Sequence, residues 1–211
     1  MSGLLNFTLT LTLSYLLGSL SGSLIVGRLR GVDIRKLGSG NAGATNALRT
    51  QGKIFAAATV LIDAGKGALA ALVIAKLSPE RPEAAFACAF AAVLGHCFPV
   101  FFGFRGGKGA GTAFGAMLAL IPYTALVALS AWLICLIATG YVGLSTVIAA
   151  LTAAIAVLAV TPLPMPTILY AQATFLLIAC LHHGNIRRLI SGTESRFEKA
   201  RLLRRFFGGK I

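Results

Sequence analysis

Seven apolar stretches follow one another with short connections between most of them, and that alternation leaves few architectures open. They run Leu4–Val26, Ile54–Leu77, Ala84–Phe102, Thr112–Ile121, Tyr123–Thr139, Leu144–Val160 and Thr167–His182. A helix that crosses a bilayer needs about 20 mainly apolar residues, and it satisfies all its backbone polar groups internally. The fourth stretch is short: from Lys108 to Ile121 it holds 14 residues, about 21 Å of helix at 1.5 Å per residue. It starts inside the bilayer plane or crosses where the membrane is thin. Leaving it out would put its neighbours on the same side. The expected fold is therefore an all-α integral membrane protein, a seven-transmembrane helix bundle with one short span, or a re-entrant variant of it. The opening "MSGLLNFTLTLTLSYLLGSLSGSLIVG" lacks a basic n-region and is too long for a cleaved signal, so it reads as the first span.

The charges test this count. Arg28, Arg30, Arg35, Lys36, Arg49 and Lys53 lie between spans one and two, and Arg105 and Lys108 between spans three and four. Eight more follow span seven, from Arg187 to Lys210, so sixteen of the 19 basic residues fall on one face if there are seven spans. The opposite connections, "SPERPE", the turn at Pro122 and "TPLPMP", hold Arg81 alone. The positive-inside rule then places the basic face and the C-terminus in the cytoplasm and the N-terminus outside.

Only 12% of the 211 residues are charged, about half the share of a soluble domain. A single embedded domain, residues 1–194, is expected, with 195–211 as a basic amphipathic tail on anionic lipid. A net charge of +13 raises nucleic acid as a partner, but cations gathered at span ends are the pattern of orientation, and no nucleic acid is expected. Cys88, Cys97, Cys135 and Cys180 stand singly in apolar stretches without metal-ligand or disulfide spacing, so they read as small buried hydrophobes.

The unusual polar sequence collects on the cytoplasmic face in three segments. The first is "LGSGNAGATNALR", Leu37 to Arg49, where Ser39, Asn41, Thr45 and Asn46 offer small donors and Arg49 a bidentate cation. A polar loop with helix caps is the alternative. The second is "GHCFPVFFGFRGGKGAGT", in which Gly106, Gly107 and Gly109 around Lys108 leave backbone N–H groups free to converge ahead of a helix N-terminus. This is a phosphate cradle in principle without the P-loop spacing; a Gly-Gly turn with a topology-setting Lys is the alternative. The third is "CLHHGNIRRLISGTESR". Here His182 and Asn185, three apart, share a helical face and can donate to an anion or oxyanion. Glu194 is expected to pair with Arg187 or Arg188.

Seven further residues take structural readings. His96, just before Pro99, is expected to bond a carbonyl freed by the proline, with catalysis as the minority view. Asp63 and Lys66 lie mid-span and three apart, so an interior ion pair neutralises both. Gly18-x-x-x-Gly22 and Ser19-x-x-x-Ser23 read as helix-packing contacts.

No Ser-His-Asp set can be drawn, and no acidic pair offers metal ligands, so neither a metal nor a cofactor is expected. Cations, amides and hydroxyls point to an anionic ligand. At the membrane interface, a phosphorylated substrate with an acyl chain fits best. The rival is a transporter or channel for a phosphorylated solute, suited by Asp63, Lys66 and the short span. Against it, the special residues gather at one face and no repeated halves are found.

"GSGNAGATNALR", "GHCFPVFFGFRGGKGAGT" and "HHGNIRRLISGTE", in that order, resemble the three signature motifs of the bacterial acyl-phosphate:glycerol-3-phosphate acyltransferases, the PlsY family, across essentially the whole chain. The resemblance implies a seven-helix protein of the bacterial inner membrane with its active site on the cytoplasmic face. The implied reaction moves a fatty acyl group from acyl phosphate to the 1-hydroxyl of sn-glycerol 3-phosphate. Lysophosphatidate and inorganic phosphate are the products, in the first acylation of phospholipid biosynthesis. By motif match Ser39, Arg49, Lys108, His182 and Asn185 bind phosphates and position the reaction, Gly106, Gly107 and Gly109 are loop glycines, and Glu194 is structural. A substrate phosphate is implied as the acceptor of the hydroxyl proton. Membrane lipid is the expected surrounding and a monomer the expected state. One departure stands out: the family often has Ser where "GYVGLST" has Gly143, which leaves Ser145 as a candidate phosphate contact in its place. Arg105 stands where Lys is common, keeping the charge.

Overall fold

Ten α-helices and three short 3-10 turns make up the secondary structure of the computed structural model, which describes residues 2–159 and 163–198. No strand occurs among the described residues. The tail expected as an amphipathic helix lies largely outside them. The chain divides into two units, Met1–Pro122 and Tyr123–Ile211.

In the first unit, α1 (Ser2–Gly18) and α2 (Gly22–Leu29) are followed by a 3-10 turn at Ile34–Lys36 and by α3 (Ala44–Gln51). Then come α4 (Lys53–Leu72), α5 (Ala84–Cys97) and α6 (Ala110–Leu120), with 3-10 turns at Ile74–Leu77 and Val100–Phe102. Helix α4 is central: it packs against α2, α3, α5 and α6, while α1 lies on α5. Glycines set the close crossings. A Cβ on Gly18 would overlap the backbone of Ala92, and one on Gly95 the carbonyl of Tyr15. Gly67 meets the carbonyl of Thr112, and Gly115 that of Ala64, so α4 and α6 approach backbone to backbone.

The first apolar stretch was expected as one span but runs as two helices bent by 48°. The break frees backbone groups that an apolar surrounding would leave costly. Buried side chains of α4 take them up: Gly22 N donates to Asp63 Oδ1 at 3.0 Å, and Lys66 Nζ donates to the Leu20 carbonyl at 3.1 Å.

The second unit holds α7 (Pro122–Thr139), α8 (Val142–Ala159), α9 (Met165–Leu181) and α10 (His183–Ile190). Helix α8 packs on α9, and α10 on both. Trp132 Nε1 donates to Thr146 Oγ1 at 3.2 Å, tying α7 to α8, and Gln172 Nε2 donates to the Ala154 carbonyl at 2.8 Å, tying α8 to α9.

Among the described residues, four helical segments are long and apolar enough to cross a membrane: Lys53–Leu77, Ala84–Phe102, Pro122–Thr139 and Val142–Ala159. Two bent pairs, Gly3–Gly18 with Gly22–Leu29 and Met165–Leu181 with His183–Ile190, bring the number to six if each is one span. Ala110–Leu120 is a shorter apolar helix. The burial pattern suits lipid. Leu5, Ile54, Leu61 and Ile134 are exposed, while Asp63, Lys66 and His96 are buried.

Candidate functional site

The first polar segment is folded around one side chain. Asn46, in the first turn of α3, is buried; its Oδ1 accepts from Ser39 N at 3.0 Å, and its Nδ2 donates to the carbonyls of Ile34 at 3.1 Å and Leu37 at 3.0 Å. Gly38 and Gly40 take left-handed φ values of +55° and +72°, which curls the chain over this amide. Asn46 therefore shapes the loop. Ser39 and Arg49 are exposed, Asn41 and Thr45 half-buried, and Thr45 and Arg49 lie four apart on α3 and share a face. The N-cap of α3 is Gly43, with no capping side chain.

The second segment lies against the first within the same unit. Arg35 Nη1 donates to the carbonyls of Phe102 at 2.8 Å and Arg105 at 3.2 Å. Its Nη2 and Nε hold Asp33 at 2.9 and 3.0 Å. These hydrogen bonds bring the Asp33 carboxyl down to about 2, and the carboxylate in turn raises the Arg35 guanidinium. Arg35 was not singled out from the sequence; the lone acid of a basic loop, two residues before it, is the signal that pointed there.

The glycines of this segment serve close packing. Gly106 N donates to the Cys97 carbonyl at 3.2 Å and Gly107 N to the His96 carbonyl at 3.1 Å, so these two N–H groups face the end of α5. A Cβ on Gly107 would overlap His96 Nε2 and stand 3.0 Å from the Ala42 carbonyl. Gly109 is the N-cap of α6 at φ +83°, without a capping side chain, and its Cβ would stand 2.9 Å from Val93 Cγ1. Lys108 is half-buried between these two seats.

Beneath the loop lie Asp63, Lys66 and His96. Lys66 Nζ is 2.9 Å from Asp63 Oδ1 and 3.0 Å from His96 Nδ1, and His96 Nδ1 is 3.2 Å from Asp63 Oδ1. The expected Asp63–Lys66 pair is present. His96 joins it rather than a carbonyl freed by Pro99. With Nδ1 accepting, the three ammonium protons of Lys66 meet three acceptors: Asp63, His96 and the Leu20 carbonyl.

The second unit holds the third segment. His182 is buried at the 52° bend from α9 to α10, and its Nδ1 donates to the Ile178 carbonyl at 2.8 Å, so a neutral ring carries its lone pair on Nε2. Asn185 Nδ2 donates to Glu194 Oε1 at 2.6 Å, and Arg188 Nε to Glu194 Oε2 at 2.7 Å. Glu194 thus pairs with Arg188, as one of the two expected partners, and holds Asn185 as well. Gly143 lies directly against Asn185, where a Cβ would stand 2.8 Å from the Asn185 Cβ. Ser145 is buried, and its hydroxyl donates to the Tyr141 carbonyl at 2.8 Å. Its hydroxyl is thus engaged by its own helix.

A family model described as "Glycerol-3-phosphate acyltransferase" matches residues 8–192. The chain belongs to the glycerol-3-phosphate acyltransferase family. Among its relatives, a glycerol-3-phosphate acyltransferase of Jannaschia sp. (strain CCS1) is 43% identical over 193 residues, 90% of this chain and 93% of that one. One of Sinorhizobium medicae (strain WSM419) is 45% identical over 188 residues, 88% of this chain and 90% of that one. The crystal structure of PlsY (YgiH), an integral membrane glycerol 3-phosphate acyltransferase, in its glycerol 3-phosphate form is similar with a TM-score of 0.86 and 36% identity. It covers 93% of this chain and 98% of that one. Its lysophosphatidic acid form gives a TM-score of 0.84 and 35% identity at the same coverage.

Proposed function

We propose that this protein transfers a fatty acyl group from acyl phosphate to the 1-hydroxyl of sn-glycerol 3-phosphate. It is an acyltransferase by family, and the relatives favour acyl transfer over transport of a phosphorylated solute. The observation that carries the reading of the site is the adjacency of the first two segments. Arg35 ties them together, Arg49 lies on the α3 face and Lys108 stands before α6, and both helices begin without a capping side chain. An uncapped helix N-terminus attracts phosphate oxygens, and Lys108 stands beside that of α6, while Arg49 lies in the last turn of α3.

In this reading Arg49 and Lys108 clamp phosphate, with Ser39, Asn41 and Thr45 as further donors. Asn185 donates to anionic oxygens of the reacting groups, and His182 does so from Nε2 when its ring is protonated, since Nδ1 is held by the Ile178 carbonyl. The acyl–oxygen bond to phosphate breaks as the ester bond to glycerol 3-phosphate forms. A substrate phosphate accepts the hydroxyl proton, so no protein base is needed. Proximity and charge stabilisation supply the acceleration. The chain spans the bacterial inner membrane seven times, α6 being the short span. The N-terminus lies outside, the basic loops and the tail 195–211 lie in the cytoplasm, and the protein works as a monomer.

The test supplies purified protein in lipidic mesophase with palmitoyl phosphate and glycerol 3-phosphate. Equal release of phosphate and lysophosphatidate is expected, falling by about 100-fold or more in folded Arg49→Ala and Lys108→Ala. Folded wild type that binds glycerol 3-phosphate yet yields neither product would sink the proposal.

A further inference from the structure

The buried charges beneath the glycine loop do more than neutralise one another. Asp63 and Lys66 are 3% and 4% exposed, a costly arrangement in an apolar bundle, where packed hydrophobic residues serve stability as well or better. What the cluster does is join elements. It closes the break between α1 and α2 through Leu20 and Gly22, and Lys66 grips α5 through His96 Nδ1.

It also reaches the loop. The imidazole of His96 forms the seat of Gly107, which no side chain larger than hydrogen can share, and the His96 carbonyl takes the Gly107 N–H. On the far side of Lys108, Gly109 rests on Val93 and Cys97, and a Cβ on Gly111 in α6 would stand 3.6 Å from Asp63 Cβ. The backbone before Lys108 is thus set by His96 of this cluster, and the backbone after it by Val93 and Cys97 of α5, the helix that carries His96.

We propose that Asp63, Lys66 and His96 are positioning residues: the ion cluster orients the His96 ring as the seat of Gly107 and thereby directs Lys108 and the start of α6 toward substrate phosphate. The proposal rests on the reading of Lys108 as a phosphate ligand. None of the three touches substrate. Asp63 fixes Lys66, Lys66 holds both the broken first helix and His96 Nδ1, and His96 transmits the position to the loop.

A clamp that holds phosphate alike in ground and transition states acts on KM more than on kcat. A purely structural staple alters the folded fraction and leaves both constants of the folded enzyme unchanged. The experiment measures KM for palmitoyl phosphate and for glycerol 3-phosphate, kcat and thermal unfolding in wild type and in His96→Asn, Gly107→Ala and the pair of these two. Expected are a KM raised about tenfold for one substrate in folded His96→Asn, with kcat changed less, and a larger loss in Gly107→Ala. The shorter Asn in the pair makes room for the methyl group, so the pair should recover about tenfold of the kcat/KM lost in Gly107→Ala. Unchanged constants in folded His96→Asn, or no recovery in the pair, overturn the proposal. His96→Gln replaces His96→Asn should the latter not fold. If wild type forms no lysophosphatidate, the proposed function falls by itself. Calorimetric binding of inorganic phosphate then decides this point: weakening by His96→Asn and by Lys108→Ala supports it, and affinity unchanged in His96→Asn overturns it.

Discussion

Gly143 and Asn185 fit together so closely that a Cβ on Gly143 would stand 2.8 Å from the Cβ and 2.9 Å from the Cγ and Nδ2 of Asn185. Gly143 is therefore the residue on which the Asn185 amide rests. Gly143→Ser should push Asn185 off Glu194, cost about 1–3 kcal/mol of stability, and lower kcat/KM by about tenfold. Thermal unfolding and initial rates in the same preparation test this. A fully active Gly143→Ser protein would show that Asn185 can shift without loss.

Asn46 and Ser39 separate shape from chemistry. Asn46→Ala leaves Ser39 N without its partner and takes one of two donors from the carbonyls of Ile34 and Leu37, which keep Leu37 N and Gly40 N; a buried group left unpaired costs about 1–3 kcal/mol. It should lower both the unfolding temperature and the activity. Ser39→Ala, at an exposed position, should lower activity at an unchanged unfolding temperature. Melting curves beside rates read the contrast, and equal melting of the two variants would contradict it.

Glu194 has two partners of different kinds, the Asn185 amide and the Arg188 guanidinium. Glu194→Gln keeps an oxygen for Asn185 and gives up the charge for Arg188. That pair is half open on the Arg side, at 47% exposure, and such pairs contribute about 0.2–1 kcal/mol. Glu194→Gln should therefore retain most activity, whereas Glu194→Ala should resemble Asn185→Ala. Relative kcat/KM of the three variants checks the order, and equal loss in Glu194→Gln and Glu194→Ala would assign the effect to charge.

The Asp33–Arg35 pair predicts an acid limb. Arg35 holds the Asp33 carboxyl at about 2, below the unfolded value of about 3.9. A depressed carboxyl stabilises the fold above the unfolded value, and that contribution is lost as pH falls from about 4 through about 2. The difference in unfolding temperature between wild type and Asp33→Asn should be constant above about pH 5 and shrink across that window. A difference that stays constant down to pH 2 would remove the pair from the account. Arg35→Lys, which cannot reproduce the fork on Asp33 and both carbonyls, should also raise KM, because it loosens the second segment from the first.

Much of this was legible in local sequence. The apolar stretches marked the helices because a helix in lipid must be apolar along its length, and the three-residue spacing of Asp63 and Lys66 already allowed their pairing. Glu194 with Arg188 was within reach because an acid beside several cations pairs with one of them. Other parts were not. Asn46 was read as a ligand candidate, since an Asn in a polar loop looks alike whether it meets substrate or backbone carbonyls. Gly106 and Gly107 were read as open donors, and their N–H groups point instead at the end of α5. The break in the first apolar stretch carried no proline to announce it. It depends on Asp63 and Lys66, more than 40 positions away.

By itself, the sequence determined the all-helical class, the segments that carry charge and the family, because hydropathy, motif order and motif spacing are properties of contiguous residues. The tertiary structure alone decided that His96 completes the Asp63–Lys66 cluster, that Arg35 joins two segments and that Gly143 yields space to Asn185. Each is a contact between residues distant along the chain. In an apolar bundle such contacts are imposed by the cost of leaving a freed carbonyl, an N–H or a charge unmatched.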